Sequence, residues 1–223
     1  MLNKEKLSLS SLFTILITLQ TAIYISSNVL AVKFLQINNI PLVDAGTFLF
    51  PFAYVIGDII TEIYGYNKAK KAIILVFCCN IIFILSTSFG LLITSSNTDI
   101  NNAYSMIFSF TPRILIASTI AYFSGEILNA KIMYKMKIKN KNQALWKRTI
   151  LSSVFGEFCD TVLFILIAYS GIIDINKILI LITTEFSIKI IIEIIIGTPL
   201  DYLLINSLYK NHPEIYSVIQ DEN

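Results

Sequence analysis

The sequence predicts an all-α membrane protein, six transmembrane helices gathered in one bundle, and three observations carry that prediction. Apolar runs cover most of the 223 residues, with 55% hydrophobic and 14% charged, against about 25% charged in an average soluble domain. Carboxylates recur inside those runs, at Asp58 and Glu62, at Glu126, at Glu157 and Asp160, and at Glu185 and Glu193. A charge at mid-bilayer depth costs roughly 2.5–3.5 kcal/mol even on insertion scales, so each must face a protein-lined or watery interior. The third observation is an uneven distribution of basic residues between alternate loops.

A span needs about 20 mostly apolar residues. The first, 9–32, is longer than a signal-peptide core of about 7–15 residues and has no small-x-small cleavage site near its end, so it stays. The next two, 46–66 and 70–95, are divided at Gly65-Tyr66-Asn67-Lys68, and Asn38-Asn39-Ile40-Pro41 precedes them. The 96–110 loop carries Tyr104, Met106, Ile107, Phe108 and Phe110, the make-up of a short interfacial or re-entrant helix. Spans 111–134, 149–171 and 177–206 follow, parted by the basic run from Lys137 to Lys147 and by Gly171 to Lys177. Residues 9–206 thus form one transmembrane domain, with 1–8 and 207–223 as tails.

Charge sets the orientation. One side holds Lys4, Lys6, Lys68, Lys70, Lys71, Lys131, Lys135, Lys137, Lys139, Lys141, Lys147, Arg148 and Lys210; the other holds Lys33 and Lys177. Thirteen against two places both tails in the cytoplasm. The plain reading of the basic 131–148 segment is topogenic charge. A net charge of +2 is too small to suggest nucleic acid. Cys78, Cys79 and Cys159 lie inside apolar runs and read as reduced filler. The single histidine, His212, sits in the C-terminal tail, which excludes histidine catalysis and a transition-metal cluster from the interior.

Helical spacing sorts the polar residues into faces. Asp58 and Glu62, and Lys189 and Glu193, are i,i+4; Glu126 and Asn129, and Glu157 and Asp160, are i,i+3. Three acids follow a glycine and precede a polar residue three positions on: Gly57-Asp58 with Thr61, Gly125-Glu126 with Asn129, and Gly156-Glu157 with Asp160. Small residues let helices approach closely, so this pattern suits a tight bundle with a polar seam. Lys189, between Glu185 and Glu193, is expected to form an internal ion pair. Asp58 and Glu62 lie nearer the cytoplasmic half and are equally suited to loop lysines or to a ligand. Asn28 and Gln20 can hydrogen-bond a ligand or cross-link helices. Tyr24, Tyr54 and Tyr122 offer stacking surfaces, while Tyr64 reads as an interfacial anchor.

The run from Pro51 to Tyr66, with Tyr54, Gly57-Asp58, Thr61-Glu62 and Tyr64-Gly65-Tyr66, resembles the queuosine-precursor transporter family, also called the vitamin uptake transporter family. Further matches are Arg113 with Ala117-Ser118, Ala121-Tyr122, Gly125-Glu126, Asn129 and Lys135-Met136-Lys137, then Trp146, Arg148-Thr149, Ser152-Ser153, Gly156-Glu157 and Asp160-Thr161. Lys189, Glu193, Thr198-Pro199 and Tyr202 complete them, so the resemblance spans about 24–206 in order and spacing. It implies a six-helix importer in a bacterial inner membrane, similar in fold to the substrate-binding subunits of energy-coupling-factor transporters. The implied substrates are 7-cyano-7-deazaguanine, 7-aminomethyl-7-deazaguanine or queuine, with no cofactor, no metal and no catalytic residue.

Such a base presents an N–H and an amine on one edge, which a carboxylate accepts together. Glu157 or Glu126 is expected there, with Asn129 and Asn28 as orienting groups and Asp160 as a second acid. Lys189 with Glu193 would line the same cavity, and Tyr54, Asp58, Glu62 and Arg113 complete the expected binding set. Beyond the substrate and the bilayer, a homodimer and an energising partner both stay open as partners. Two other functions fit the residues less well. A subunit driven by a separate ATPase is compatible, since no GxxxxGK[ST] loop is present for the chain to hydrolyse ATP itself. A membrane enzyme using paired carboxylates lacks any nucleophile elbow, HExxH or Cys–His arrangement.

Overall fold

Ser8 opens the first helix, α1 (Leu9–Leu30), its hydroxyl accepting the Ser11 N–H at 3.2 Å. The computed structural model describes residues 8–38, 40–108, 111–140 and 143–213. Lys4, Lys6, Lys141 and Phe110, and most of both tails, lie outside the described residues. On α1 the buried residues Leu16, Gln20, Tyr24, Ser27 and Asn28 repeat every three to four positions. That spacing makes one inward stripe, and the stripe is mostly polar.

After α1 comes a feature absent from the sequence reading, a short antiparallel hairpin of β1 (Phe34–Ile37) and β2 (Ile40–Asp44), with Phe34 opposite Asp44. Its turn uses Asn38 at φ 51°, a left-handed conformation that asparagine tolerates. Asp44 then caps a 3₁₀ turn over Ala45–Phe48, its Oδ1 accepting the Thr47 N–H at 2.9 Å.

The long helix α2 (Phe50–Leu92) is broken at Gly65, where φ 75° and ψ 172° are open only to glycine. A continuous helix would separate Gly57 from Ile73 by about 24 Å. Instead they line one small cavity together with Ile60, Ala69 and Ala72, so α2 folds back into a helical hairpin. The expected division between spans 46–66 and 70–95 therefore falls at a real break in the helix.

Helix α3 (Thr98–Phe108) has no buried residue and is pinned by the Tyr104 hydroxyl, which donates to Thr87 O at 3.1 Å. Helices α4 (Thr111–Lys139) and α5 (Leu145–Tyr169) cross at Gly125 and Gly156. A Cβ built on Gly125 would lie 2.8 Å from Gly156 O, and one on Gly156 would lie 3.0 Å from Gly125 O. The glycines expected to let helices approach closely do so here.

After α5 come α6 (Ile175–Ile192), a π-helical turn over Glu193–Gly197, and α7 (Thr198–Asn211). The Thr198 N–H bonds back five residues to Glu193 O. Pro199, in the first turn of α7, has no N–H to give a regular ladder, which accounts for the bulge.

Among the described residues, four segments are long and apolar enough to cross a membrane: Leu9–Leu30, Phe50–Leu92, Thr98–Lys139 and Leu145–Tyr169. Helix α6 carries Lys177, Glu185 and Lys189 within its 18 residues. Large apolar side chains face outward, while charged groups are buried beside an apolar core that includes Ile59, Ile73 and Val76. Leu85, Phe89, Leu92, Ile195 and Leu203 are exposed, while Asp58, Glu126, Arg148 and Glu157 are 0% exposed. An apolar exterior with the charged groups turned inward is the arrangement a bilayer demands. A multi-pass, mostly helical membrane bundle follows.

Candidate functional site

The buried polar groups form a seam between the helices, in three tiers. In the first, Lys189 of α6 reaches α5, donating to Asp160 Oδ2 at 2.7 Å and to Thr161 Oγ1 at 3.1 Å. Its ammonium also lies 4.6 Å from the centre of the Phe50 ring. The expected Lys189–Glu193 pair is therefore replaced by Lys189–Asp160. The π turn begins at Glu193 and swings it towards α7, where the Thr198 hydroxyl donates to Glu193 Oε1 at 3.2 Å.

Above this pair Asn28, Asp44, Phe50, Asp160, Glu185 and Lys189 line a pocket with about 30 Å³ of open space. That is room for a water or two, well below the roughly 300–1,000 Å³ of a ligand cleft. This pocket is thus too small for a ligand in this conformation. Asn28 is engaged at both ends, donating to Asn80 Oδ1 at 3.0 Å and accepting from the Ser118 hydroxyl. In the hairpin, burial pushes the Asp44 carboxyl above its ordinary range, opposed by the Lys189 ammonium and by the N–H groups of Thr47 and Gly46.

The second tier is aromatic and acidic. The Tyr24 and Tyr122 ring centres are 4.1 Å apart, and Phe50 lies 5.9 Å from both Tyr24 and Tyr54. Glu126 accepts from Gln20 Nε2 at 3.4 Å and presses on Gly57, where a Cβ would lie 2.7 Å from its carboxylate. Glu157 is 0% exposed, and neither of its carboxylate oxygens has a hydrogen-bond partner among the described residues. The Tyr54 and Tyr122 hydroxyls are likewise unpartnered there. Buried polar groups without a partner are uncommon in folded proteins.

In the third tier Glu62 gathers four elements. Arg148 of α5 donates to its Oε1 at 2.8 Å, Tyr209 of α7 donates to the same oxygen at 2.9 Å, and Lys137 of α4 lies 3.7 Å away. Lys137 and Arg148 are 4% and 0% exposed. Two residues of the basic 131–148 segment thus serve as buried ion-pair partners, correcting the reading of that segment as topogenic charge alone. Asn129 donates to Asp58 Oδ1 at 2.7 Å. Asp201 of α7 is 0% exposed with both oxygens unpartnered among the described residues.

Of the residues expected from sequence, Asn28, Tyr54, Asp58, Glu62, Glu126, Asn129, Glu157, Asp160, Lys189 and Glu193 all fall on this seam, at 4% exposure or less. Arg113 does not join it. It is exposed and closes the C-terminal carbonyls of α5, Nε donating to Ile167 O at 2.8 Å and Nη2 to Ser170 O at 2.6 Å. It borders a separate, largely apolar cavity of about 380 Å³ with Phe34, Tyr169 and Leu181. Sequence reasoning missed Asp44, Asn80 and Asp201. Asp44 stood beyond the start of a span, and Asn80 was a lone amide in an apolar run. Asp201, eight residues beyond Glu193, was the most legible of the three, since i,i+8 keeps an acid near the same face.

Residues 44–204 match the family described as "Putative vitamin uptake transporter". The chain is similar to the "Queuosine precursor transporter" of Escherichia coli (strain K12), 25% identical over 170 residues and 74% of each chain. It is also similar to the "Probable queuosine precursor transporter" of Bacillus subtilis (strain 168), 25% identical over 152 residues, 67% of this chain and 66% of that one. A protein of the same printed name from Haemophilus influenzae (strain ATCC 51907 / DSM 11121 / KW20 / Rd) is 28% identical over 124 residues, 56% of this chain and 51% of that one. These matches span from about half to about three quarters of the relatives' own lengths. No solved structure matches the chain. The family match runs from the Asp44 cap into α7 and takes in every acid of the seam, Asp44 through Asp201. This chain therefore belongs to the vitamin uptake transporter family, a family of membrane transporters and not of enzymes.

Proposed function

We propose that the chain imports queuosine precursors, bases of the 7-deazaguanine class such as 7-cyano-7-deazaguanine, 7-aminomethyl-7-deazaguanine or queuine, for salvage into tRNA. The names of its relatives, queuosine precursor transporters, support the substrate class. The observation that carries the proposal is Glu157, a fully buried carboxylate with two unused acceptor oxygens. It sits one residue from Gly156, whose Cβ position is 3.0 Å from the Tyr54 ring. A planar base with an N–H and an amine on one edge would satisfy both oxygens and stack on an aromatic face. Asn129, with Oδ1 unpartnered, borders the same crossing. A cationic aminomethyl group would compete with Lys189 for Asp160. Arg113, on the separate apolar cavity, would meet the substrate before the seam does.

In this reading the 9–206 domain crosses a bacterial inner membrane six times. The break at Gly65 makes α2 two crossings, and α6, the π turn and α7 together make the sixth. Both termini are then cytoplasmic. Because the pocket beside Lys189 is too small for a base, uptake through it requires it to widen, and the π turn and the Gly65 break are places where the described helices already depart from regular geometry.

Glu157→Gln tests the proposal. One acceptor oxygen becomes an amide donor aimed at the N–H edge, which loses a hydrogen bond and strands a donor at a cost of about 1–3 kcal/mol. Titration of detergent-purified protein with a 7-deazaguanine should show affinity lower by roughly ten- to a hundredfold, with an unchanged elution profile. Equal affinity in the two proteins would assign Glu157 to packing and move the role to Glu126.

A further inference from the structure

We propose that Asp58, Glu193 and Asp201 form a binding site for a hard metal cation, one that prefers oxygen ligands, in the third tier of the seam. Each residue brings one carboxylate oxygen, and the three oxygens lie within 4.8 Å of one another. They come from α2, the π turn and α7, so the cluster exists only in the folded bundle. A cation bound at about 2.3–2.6 Å from each oxygen spans such a gap, since ligands on opposite sides are then about 5 Å apart. With no cysteine or histidine in the set, the donors suit sodium, magnesium or calcium and not the thiophilic metals.

Closeness of acids alone would not make a site. The separate observation is that Asp201, 0% exposed, has neither oxygen hydrogen-bonded among the described residues, and the second oxygen of Asp58 is also unpartnered. A buried carboxylate with both oxygens unused is costly unless a positive charge meets it. The two cations of this tier, Arg148 and Lys137, both pair with Glu62, and Nε and Nη1 of Arg148 have no hydrogen-bond partner among the described residues. Asp58, Glu62, Glu193 and Asp201 thus set four acids against two bases. Asp58 also accepts from Asn129, which packs on Gly156, so the proposed ion lies close to the helix that carries Glu157.

The proposal is independent of which substrate is carried, and its test uses none. Chelator-treated, detergent-purified protein is titrated with ²²Na⁺ and, in a separate arm, with ⁴⁵Ca²⁺ competed by Mg²⁺. Saturable binding near one ion per chain is expected in one arm, and the arm that binds identifies the ion. Asp201→Asn keeps the side-chain shape while removing a charge, and should weaken that binding at least tenfold. The bound ion should raise the melting temperature of the parent and not of the variant. Absence of saturable binding by the parent in both arms overturns the proposal whether or not the variant folds, as does equal binding by a folded Asp201→Asn protein.

Discussion

Lys189 has acids four residues away on either side along its own helix, and it takes neither as its partner. Its four-carbon stem carries the ammonium across to Asp160 on α5, where Thr161 supplies a second acceptor and the Phe50 ring a cation–π face. Breaking one half of a buried pair leaves an uncompensated charge and costs about 3–5 kcal/mol, whereas removing both halves can be nearly neutral. Lys189→Met should therefore lower the melting temperature and folded yield sharply. Adding Asp160→Asn should restore much of the loss, and adding Glu193→Gln should not. Fluorescence-detected size-exclusion melting curves of the three variants check this, and rescue by Glu193→Gln alone would show that the pair runs along α6. At this scale the sequence told which residues are buried, because an acid inside an apolar run has nowhere else to go. It did not tell the partners. A spacing of three or four residues fixes a shared face, but which neighbouring helix that face meets depends on the packing. Glu62 shows the same limit, since three of its partners come from α4, α5 and α7.

Among the helices, the glycine–acid pattern was the most readable signal. At Gly57, Gly125 and Gly156 the missing side chain makes room for a carboxylate, a tyrosine or a facing carbonyl. The neighbours differ in how far they can yield. A Cβ at Gly156 would meet Asn129 Cβ at 2.8 Å and Gly125 O at 3.0 Å, both fixed to backbone. At Gly90 it would meet the tip of the Tyr104 ring, on a helix with no buried residue. Gly156→Ala should then cost about 1–3 kcal/mol of stability as an overpacked site, while Gly90→Ala should cost clearly less because α3 can shift. Melting curves of the two variants in the same detergent compare them directly; equal losses would mean that α4 and α5 separate more easily than their contacts indicate. The β hairpin and the π turn were not legible. The hairpin is held by an asparagine turn too short to stand out between two spans. The π turn depends on Pro199, which in sequence reads as well as a kink or a helix start.

For the whole molecule the decisive question is how many times α2 crosses the bilayer. A single crossing by a bent α2 would give five crossings in all, with α1, α4, α5 and the α6–α7 run, and would put the C-terminus outside. Two crossings give six and bring both termini to one side. Gly57 and Ile73 lining one cavity favours two, as does the basic Lys68, Lys70 and Lys71 group placed at the tip of the α2 hairpin. The charge asymmetry survives the reassignment of Lys137 and Arg148 to buried pairs, because eleven basic residues still face two. A cytoplasm-dependent fluorescent reporter fused after residue 213 should therefore light up, and one inserted at 67–68 should do the same. An export-dependent phosphatase fused at residue 97, between α2 and α3, should be active. A dark C-terminal fusion with an active phosphatase in its place would show that α2 crosses once. Gly65 would then be a kink inside one span, Asp58 and Glu62 would lie at different depths from those proposed, and the third tier of the seam would have to be placed anew against the membrane.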